Sequence, residues 1–173
     1  MSLSLYDATI PSFIQGLTAV GGLVEKARAH CAEHGIDEGV FCGTSIAPDM
    51  WPFAKQVCCA CQHSAEAVAA VFVGHNGPDR APGPMNFAEL SQRVNTALES
   101  LKAVTPEQLE AVAESDLVFQ IGEREMPFTA TGYLLSFAIP NFYFHSATAY
   151  AVLRSQGLAI GKRDFLGAPR MKG

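Results

Sequence analysis

The sequence has few charged residues, and fewer still are basic. Of its 173 residues 17% are charged, with 12 lysines and arginines against 17 aspartates and glutamates, for a formal net charge of −5. Nucleic-acid binding depends on clustered lysine and arginine side chains that neutralise phosphates. The basic residues here are scattered until the C-terminal tail, so the composition argues against nucleic acid as a partner.

Cysteines are few, and long apolar runs are missing. The five cysteines are an odd number, and three of them crowd together as Cys58, Cys59 and Cys61, which is unlike a disulfide framework. No uninterrupted apolar stretch approaches the ~20 residues of a membrane span, and the start lacks a secretory-signal pattern. The sequence therefore predicts a cytoplasmic protein with reduced thiols and no membrane partner.

Common catalytic motifs are also missing. We find no glycine-rich dinucleotide fingerprint, no serine nucleophile elbow and no paired-carboxylate motif. The sequence therefore names no reaction, and enzyme activity stays an open question.

Apolar residues, in contrast, are plentiful. They make up 49% of the chain, enough for one well-filled core, and the length fits a single domain over residues 1–173. The surplus can also form an apolar face used for self-association. We expect a homodimer that associates through its long helices.

The apolar residues recur at spacings of three and four, as they do on the buried face of a helix. This pattern predicts four long helices: Ala8–His34 with Thr9 as its cap, one near Pro48–Val73, one that begins after Asn86, and Ala130–Gln156. A short helix follows Thr105, and Asp116–Ala130 reads as a β-hairpin. The segment Gly74–Met85 is predicted to be a loop and the tail after Gln156 to be extended. The fold class is all-α, an antiparallel four-helix bundle with a small β-hairpin before the last helix.

Pro140 and His145 mark the middle of the last helix. Proline lacks a backbone donor and clashes with the carbonyl of Ser136, so we expect a kink or a break there. His145 lies on the apolar stripe of this helix, and Asn141 precedes it by one turn on the same face. His145 is then either a core histidine bonded to Asn141 or to a carbonyl released by Pro140, or a metal-binding or catalytic histidine.

The cysteine cluster also has two interpretations. On a helix, Cys58 and Cys61 share a face, as do Cys59 and His63, so each pair has the spacing to chelate a soft ion. Buried cysteines more often act as small hydrophobic residues. We favour the second interpretation.

Several strings resemble a known family. The segment NFYFHSATAYAVLR, from Asn141 to Arg154, and the order of the helices resemble the DinB-like, or YfiT-like, superfamily of metalloenzyme-type bundles. The strings SLYDATIPSFIQGL, APDMWPFAKQV and GKRDFLG resemble one uncharacterised branch, a family of unknown function. The resemblance covers essentially the whole chain.

The resemblance implies where a site should lie. Members of the superfamily hold a divalent metal with three histidines, and these positions fall on Gln56, Asn141 and His145 in this sequence. Neutral amides are weak ligands for zinc or nickel, and the nearby carboxylate of Asp49 adds one oxygen at most. We therefore expect no resident metal, a weakly held divalent ion at most, and no other cofactor.

Two functions remain open from the sequence. A polar cluster of Gln56, Asn141 and His145 inside an apolar bundle is suited to binding a small polar ligand. The superfamily includes thiol-dependent transferases, so the resemblance also implies thiol-dependent transfer. The alternative is a non-catalytic, dimeric structural or interaction protein in which the cluster only fixes the packing.

Overall fold

The computed structural model describes residues 3–79 and 86–172. Its long helices are Leu5–His34, Phe53–Val73, Phe87–Lys102 and residues 130–155, and we call them the first to fourth long helices. Shorter helices span Glu38–Cys42, Pro106–Ala111 and Lys162–Leu166. Three strands, β1 (His75–Asn76), β2 (Asp116–Ile121) and β3 (Arg124–Thr129), complete the fold.

The four long helices form the predicted bundle. The first packs on the third and fourth, and the second packs on the same two, so the first and second helices are diagonal partners. Between them lies one continuous apolar core, whose largest fully buried side chains include Phe13, Phe53, Phe87, Phe142 and Tyr133. The second and fourth helices pack closely along their lengths, and this contact positions the candidate site.

The first long helix begins earlier than the sequence pattern indicates. Ser4 is its cap and accepts a hydrogen bond from the Asp7 amide, whereas Thr9 is fully buried inside the helix and donates to the Leu5 carbonyl. The prediction of Thr9 as the cap is therefore wrong. The end is as predicted, because Gly35 adopts a left-handed conformation (φ 65°) that stops the helix.

The second long helix begins at Phe53 and not near Pro48. A residue before proline is disfavoured in the helical conformation, so Trp51 cannot readily join a helix that continues into Pro52. Pro52 is instead extended (ψ 167°) and serves as the cap, and the Phe53 amide donates to the Thr44 carbonyl. Of the described helices this is the one long and apolar enough to cross a membrane, but 78% of its most apolar window is buried, as in the core helix of a soluble protein.

Wide π-helical turns interrupt two of the long helices. Gln62–Glu66 forms one in the second helix, and Leu134–Ala138 forms one in the fourth. The second of these turns ends two residues before Pro140, and the helix resumes at Ile139 and continues through the proline. We ascribe this turn to Pro140, because it supplies no amide hydrogen to the preceding turn. The expected disturbance at Pro140 thus takes the form of a widened turn.

The sheet corrects the prediction of a loop after the second helix. His75 and Asn76 form a short strand that pairs in parallel with Val118 and Phe119, while residues 80–85 of the predicted loop lie outside the described part of the chain. The predicted hairpin is present, with Asp116 opposite Thr129 and Ile121 opposite Arg124. Gly122 (φ 59°) makes its tight turn.

The tail after the fourth helix is not simply extended. Lys162–Leu166 form a short helix, and Asp164 accepts from the Gly161 amide and from Lys26 on the first helix. The Leu166 carbonyl accepts a hydrogen bond from Gln15, and Arg170 donates to Ser12. The tail is therefore fastened along the first long helix.

Candidate functional site

The candidate site begins with a hydrogen bond between the second and fourth helices. His145 Nδ1 lies 2.7 Å from Gln56 Oε1, and both residues are buried. Gln56 Nε2 in turn donates to the Trp51 carbonyl at 3.0 Å. Three segments, the Trp51–Pro52 entry and the two long helices, are thus linked through one glutamine side chain.

This chain of hydrogen bonds fixes where the imidazole proton sits. The Trp51 carbonyl can only accept, so the amide nitrogen of Gln56 must point to it, and the Gln56 oxygen must face His145. A carboxamide oxygen also only accepts, so the proton of His145 is on Nδ1. In the neutral imidazole, Nε2 is then a hydrogen-bond acceptor.

Two further rings lie parallel to His145. The indole of Trp51 lies with its centroid 5.8 Å away at an interplanar angle of 12°, and the imidazole of His63 lies 5.5 Å away at 6°. His63 is in the π-helical turn of the second helix, and Trp51 precedes that helix. The result is a row of three planar rings, Trp51, His145 and His63.

A pocket of about 220 Å³ opens beside this row. Aromatic and aliphatic side chains from the hairpin and the fourth helix, among them Phe119, Ile121 and Phe137, form part of its wall. Polar groups form the rest, and they are Lys55, Cys59, Gln62, His63, Asp79, Asn141 and His145. Aromatic walls with convergent polar groups are common in small-molecule sites.

Both histidines of the site are neutral at physiological pH. Burial lowers the pKa of His63 to about 4, with a smaller contribution from His145. Burial also lowers the pKa of His145 to about 4, and the positive charge of Lys55 adds to this effect. The site therefore presents two uncharged imidazoles.

His63 has a buried nitrogen without a partner. Its side chain is 7% exposed, and its Nδ1 has no hydrogen-bond partner among the described residues. Buried polar atoms are satisfied in the great majority of cases, so such an atom calls for an explanation. A ligand or a water molecule in the adjoining pocket would supply the missing partner.

A charged network borders the pocket. Asp79 is contacted by Lys55 Nζ at 3.5 Å and by Arg93 at 2.9 Å, and Arg93 also pairs with Glu66. The Lys55 ammonium lies 5.7 Å from the centroid of the Trp51 ring. This network connects the second and third helices to the segment after β1.

The cysteines of this region are not activated. Burial raises the pKa of the Cys59 thiol to about 11 and that of Cys61 to about 12, and burial raises the pKa of Cys58 as well. All five cysteines are buried and reduced. They are packing residues, as the favoured interpretation predicts.

The structure brings together some of the predicted site residues. Gln56 and His145 are bonded, and Asn141 lines the same pocket, but its amide donates to the Phe137 carbonyl at 2.8 Å and not to His145. Asp49 is exposed in the turn before the second helix and is not among the residues that line the pocket. His145 is therefore held by Gln56, neither by Asn141 nor by a carbonyl next to Pro140.

Sequence reasoning missed His63, Trp51 and Lys55 as members of the site. The signal for His63 was available, because Gln56, Cys59 and His63 are spaced three and four residues apart and so share one helical face. Trp51 and Lys55 gave no comparable signal, since their positions depend on where the helix begins.

The donor set does not fit a resident divalent metal. Both polar atoms of Gln56 are engaged within the protein, and so is the amide nitrogen of Asn141. The rings of His63 and His145 are stacked in parallel and do not converge on one point. Over residues 3–79 and 86–172, no group of three histidine, cysteine or acidic side chains is placed to hold an ion. One imidazole nitrogen and one amide oxygen are too few for zinc or nickel.

Comparisons with known proteins agree on the fold and leave the function open. A family model described as a domain of unknown function (DUF1993) matches residues 5–166. The chain is similar to the crystal structure of a DinB family member protein from Shewanella denitrificans, with 28% identity and a TM-score of 0.81 over 98% of this chain and 95% of that one. No curated protein matches the sequence.

Proposed function

We propose a function from the pocket itself, because the chain belongs to the DUF1993 family, a domain of unknown function, and its DinB-like fold does not name a reaction. The protein binds a small planar molecule that carries a hydrogen-bond donor. The observation that carries the proposal is the fixed proton of His145. With Nδ1 held by Gln56, Nε2 is the nitrogen left for a ligand, and it can only accept a hydrogen bond.

The shape of the site favours a planar ligand. The rings of Trp51, His145 and His63 are parallel, and Phe119 and Phe137 contribute further aromatic surface to the pocket wall. Aromatic side chains pack well against planar groups in offset-stacked or edge-to-face arrangements. The pocket volume of about 220 Å³ is small for a ligand site, which favours a ligand of about one ring system.

The chemistry favours binding over proton transfer. A general base works best when its pKa lies near the operating pH, and the pKa of His145 is lowered to about 4. Such an imidazole accepts a hydrogen bond but abstracts a proton poorly. The thiol of Cys59 has a pKa raised to about 11, so it does not act as a nucleophile either.

Thiol-dependent transfer, which the resemblance implies, has less support. In that chemistry the metal supplies the activation, and the donor set here does not fit a resident metal. The proposed function is therefore that of a binding protein.

A matched pair of probes tests the proposal. Phenol has a ring and an O–H donor, whereas anisole has the same ring with the donor replaced by a methyl ether. We expect phenol to give saturation-transfer NMR signals and to shift the His145 Nε2 resonance, and we expect anisole to bind several-fold more weakly, since one hydrogen bond is worth about 1 kcal/mol. Equal binding of the two probes, or binding that leaves the His145 resonances unchanged, would contradict the proposal.

A double variant supplies the control. His145→Phe with Gln56→Leu removes both side chains of the His145–Gln56 hydrogen bond together, so neither is left unsatisfied, and the Trp51 carbonyl loses its donor. We expect this variant to lose the preference for phenol over anisole. His34→Phe, which changes an exposed histidine at the end of the first helix, should keep the preference. If the double variant fails to fold, the comparison of the two probes on the wild-type protein still decides the question.

A further inference from the structure

A second buried polar atom without a partner lies on the fourth helix, on Ser146, which directly follows His145 in the chain and lies on a different side of the helix. Ser146 is 2% exposed, and its Oγ has no hydrogen-bond partner among the described residues. Serine and threonine inside helices usually donate to the carbonyl four residues earlier. Other helical hydroxyls of this chain do so, and they are Thr9, Thr18, Ser64, Ser136 and Thr148. Among the described residues, Ser146 carries the buried side-chain hydroxyl that has no partner.

Ser146 lines a cleft that is separate from the His145 pocket. This tail cleft, of about 210 Å³, lies between the first helix, the fourth helix and the fastened tail. Its lining residues are Ser12, Gln15, Gly16, Phe142, Tyr143, Ser146, Phe165, Leu166 and Arg170. None of these residues lines the pocket beside His145. The cleft thus has aromatic walls, hydroxyl groups and one guanidinium.

The charge of the tail cleft is positive. Arg170 is the charged residue among the described lining residues, and it donates to Ser12 Oγ at 3.3 Å. The acidic side chain of the tail, Asp164, is already paired with Lys26 and the Gly161 amide. A guanidinium has five N–H donors in a planar fork that matches a carboxylate, so Arg170 retains donors for an anion.

An apolar groove continues from the tail cleft. It has a volume of about 400 Å³, shares Gln15 and Arg170 with the cleft, and is lined mainly by Tyr6, Pro11, Ile14, Thr18 and Ala168. A molecule with an acidic head in the cleft therefore has apolar surface beside it for the rest of its body. This combination resembles neither a metal site nor a site for a highly charged ligand.

We propose that the tail cleft binds a small carboxylic acid with an aromatic or short aliphatic body. The guanidinium of Arg170 pairs with the carboxylate, and the Ser146 hydroxyl donates to it after rotation to the staggered position that faces the cleft. The side chains of Phe142 and Phe165 pack against the body of the ligand. Such a ligand satisfies the one buried side-chain hydroxyl that is left without a partner among the described residues.

Benzoate and benzamide test the proposal as a matched pair. They have nearly the same shape, but only benzoate carries the negative charge. We expect benzoate to shift the amide NMR signals of Gly16, Ser146 and Phe165, and benzamide to bind about tenfold more weakly, in line with the strength of hydrogen bonds to charged groups. Equal affinities for the two, or no shifts at these positions, would overturn the proposal.

Two variants assign the contacts. Arg170→Gln should weaken benzoate binding about tenfold and leave benzamide binding unchanged. Ser146→Ala should weaken benzoate binding about fivefold and leave the free energy of unfolding unchanged or slightly raised, because the hydroxyl has no partner to lose and alanine favours helices. If Ser146→Ala lowers the stability and leaves the affinity unchanged, the hydroxyl is structural and the proposal is wrong.

Thr148→Val is the control for Ser146→Ala. Thr148 lies two residues further along the same helix, donates to the Phe144 carbonyl and does not line the cleft. Its replacement should leave the affinity for benzoate unchanged. A loss of affinity equal to that of Ser146→Ala would show that the effect comes from the helix and not from the hydroxyl.

Discussion

At the scale of single residues, the chemistry of the site depends on which ring nitrogens of His63 and His145 have hydrogen-bond partners within the protein. Gln56 settles this for His145, because it accepts from Nδ1 and donates to Trp51. His63 has no such partner at Nδ1 among the described residues. The two imidazoles therefore differ in role although burial lowers the pKa of both to about 4.

The lowered pKa values predict how the stability depends on pH. The ordinary value is 6.5, so the unfolded chain takes up protons near pH 6.5, and the folded chain does so only near pH 4. Between these values the unfolded state holds more protons, and the free energy of unfolding falls as the pH is lowered. At pH 5.0 we expect a loss of about 1–2 kcal/mol for each histidine relative to pH 7.5, measured by urea unfolding.

The variant His63→Phe tests this assignment. It removes one of the two buried imidazoles and should roughly halve the loss of stability between pH 7.5 and 5.0. His34→Phe, at an exposed position, should leave the loss unchanged. A wild-type protein with the same stability at both pH values would show that neither histidine is buried in the neutral form.

Metal binding can also be decided at this scale. One imidazole with two neutral amides is a poor ligand set, so protein purified without a histidine tag should carry well under one equivalent of zinc or nickel by elemental analysis. The double change Gln56→His and Asn141→His supplies the missing imidazoles and should produce measurable zinc binding. Stoichiometric metal in the wild-type protein that disappears in His145→Ala would contradict this account.

At the scale of elements, the first and fourth helices approach each other through a glycine. A Cβ atom added to Gly16 would lie 2.7 Å from the Phe142 ring, which no side chain tolerates without movement. Phe142 is fully buried and packs edge-to-face on Phe13 of the first helix, with ring centroids 5.2 Å apart. The ring therefore has little room to yield.

We expect Gly16→Ala to destabilise the protein by about 1–3 kcal/mol through overpacking, although alanine is the better helix former. Gly22→Ala on the same helix is the matched control, because nothing lies within 4 Å of the added Cβ. That change should raise the stability by up to about 1 kcal/mol. Thermal unfolding of both variants measures the difference, and equal effects would show that the two helices are not in close contact at Gly16.

Much of the element order could be predicted from the sequence, because it rests on local signals. The apolar periodicity and the caps at Asn86 and Thr105 predict helices that the structure contains. The start of the second helix was predicted less accurately. The apolar periodicity extends through Trp51 and Pro52, where the backbone preferences oppose a helix. The π-helical turns depend on how the helices pack and leave no pattern of their own in the sequence.

The candidate site could be predicted only in part. Gln56 and His145 followed from the resemblance, and their bond could be anticipated because both lie on inward faces. The separation of Asn141 from His145 could not, because the Asn141 amide is satisfied within its own helix by Phe137. The prediction that Asp49 lies near the site was wrong for the same reason as the predicted start of the second helix. The residues before Phe53 form turns and not a helical face.

At the scale of the whole molecule, exposed apolar side chains support the expectation of a homodimer. Leu135, Tyr143 and Phe144 are exposed along the fourth helix, and Phe72 and Val73 are exposed at the end of the second. Large exposed apolar patches commonly mark protein interfaces. The dimer remains a prediction, with an interface expected to bury more than ~1,000 Å².

Sedimentation velocity at micromolar concentration tests this prediction. The chain has a mass of 18.5 kDa, and we expect a species of twice that mass. Replacing Phe144 with a charged residue should shift the equilibrium towards the monomer if the fourth helix forms the interface. A monomer at all concentrations up to the millimolar range would end the claim.

His145 and Ser146 are neighbours in the chain, yet one lines the pocket beside Trp51 and the other lines the tail cleft. A small rotation of this single helical turn about its axis would move both side chains at once. Occupancy of the two cavities would then be thermodynamically coupled. Whatever factor benzoate applies to the affinity for phenol, phenol must apply to the affinity for benzoate.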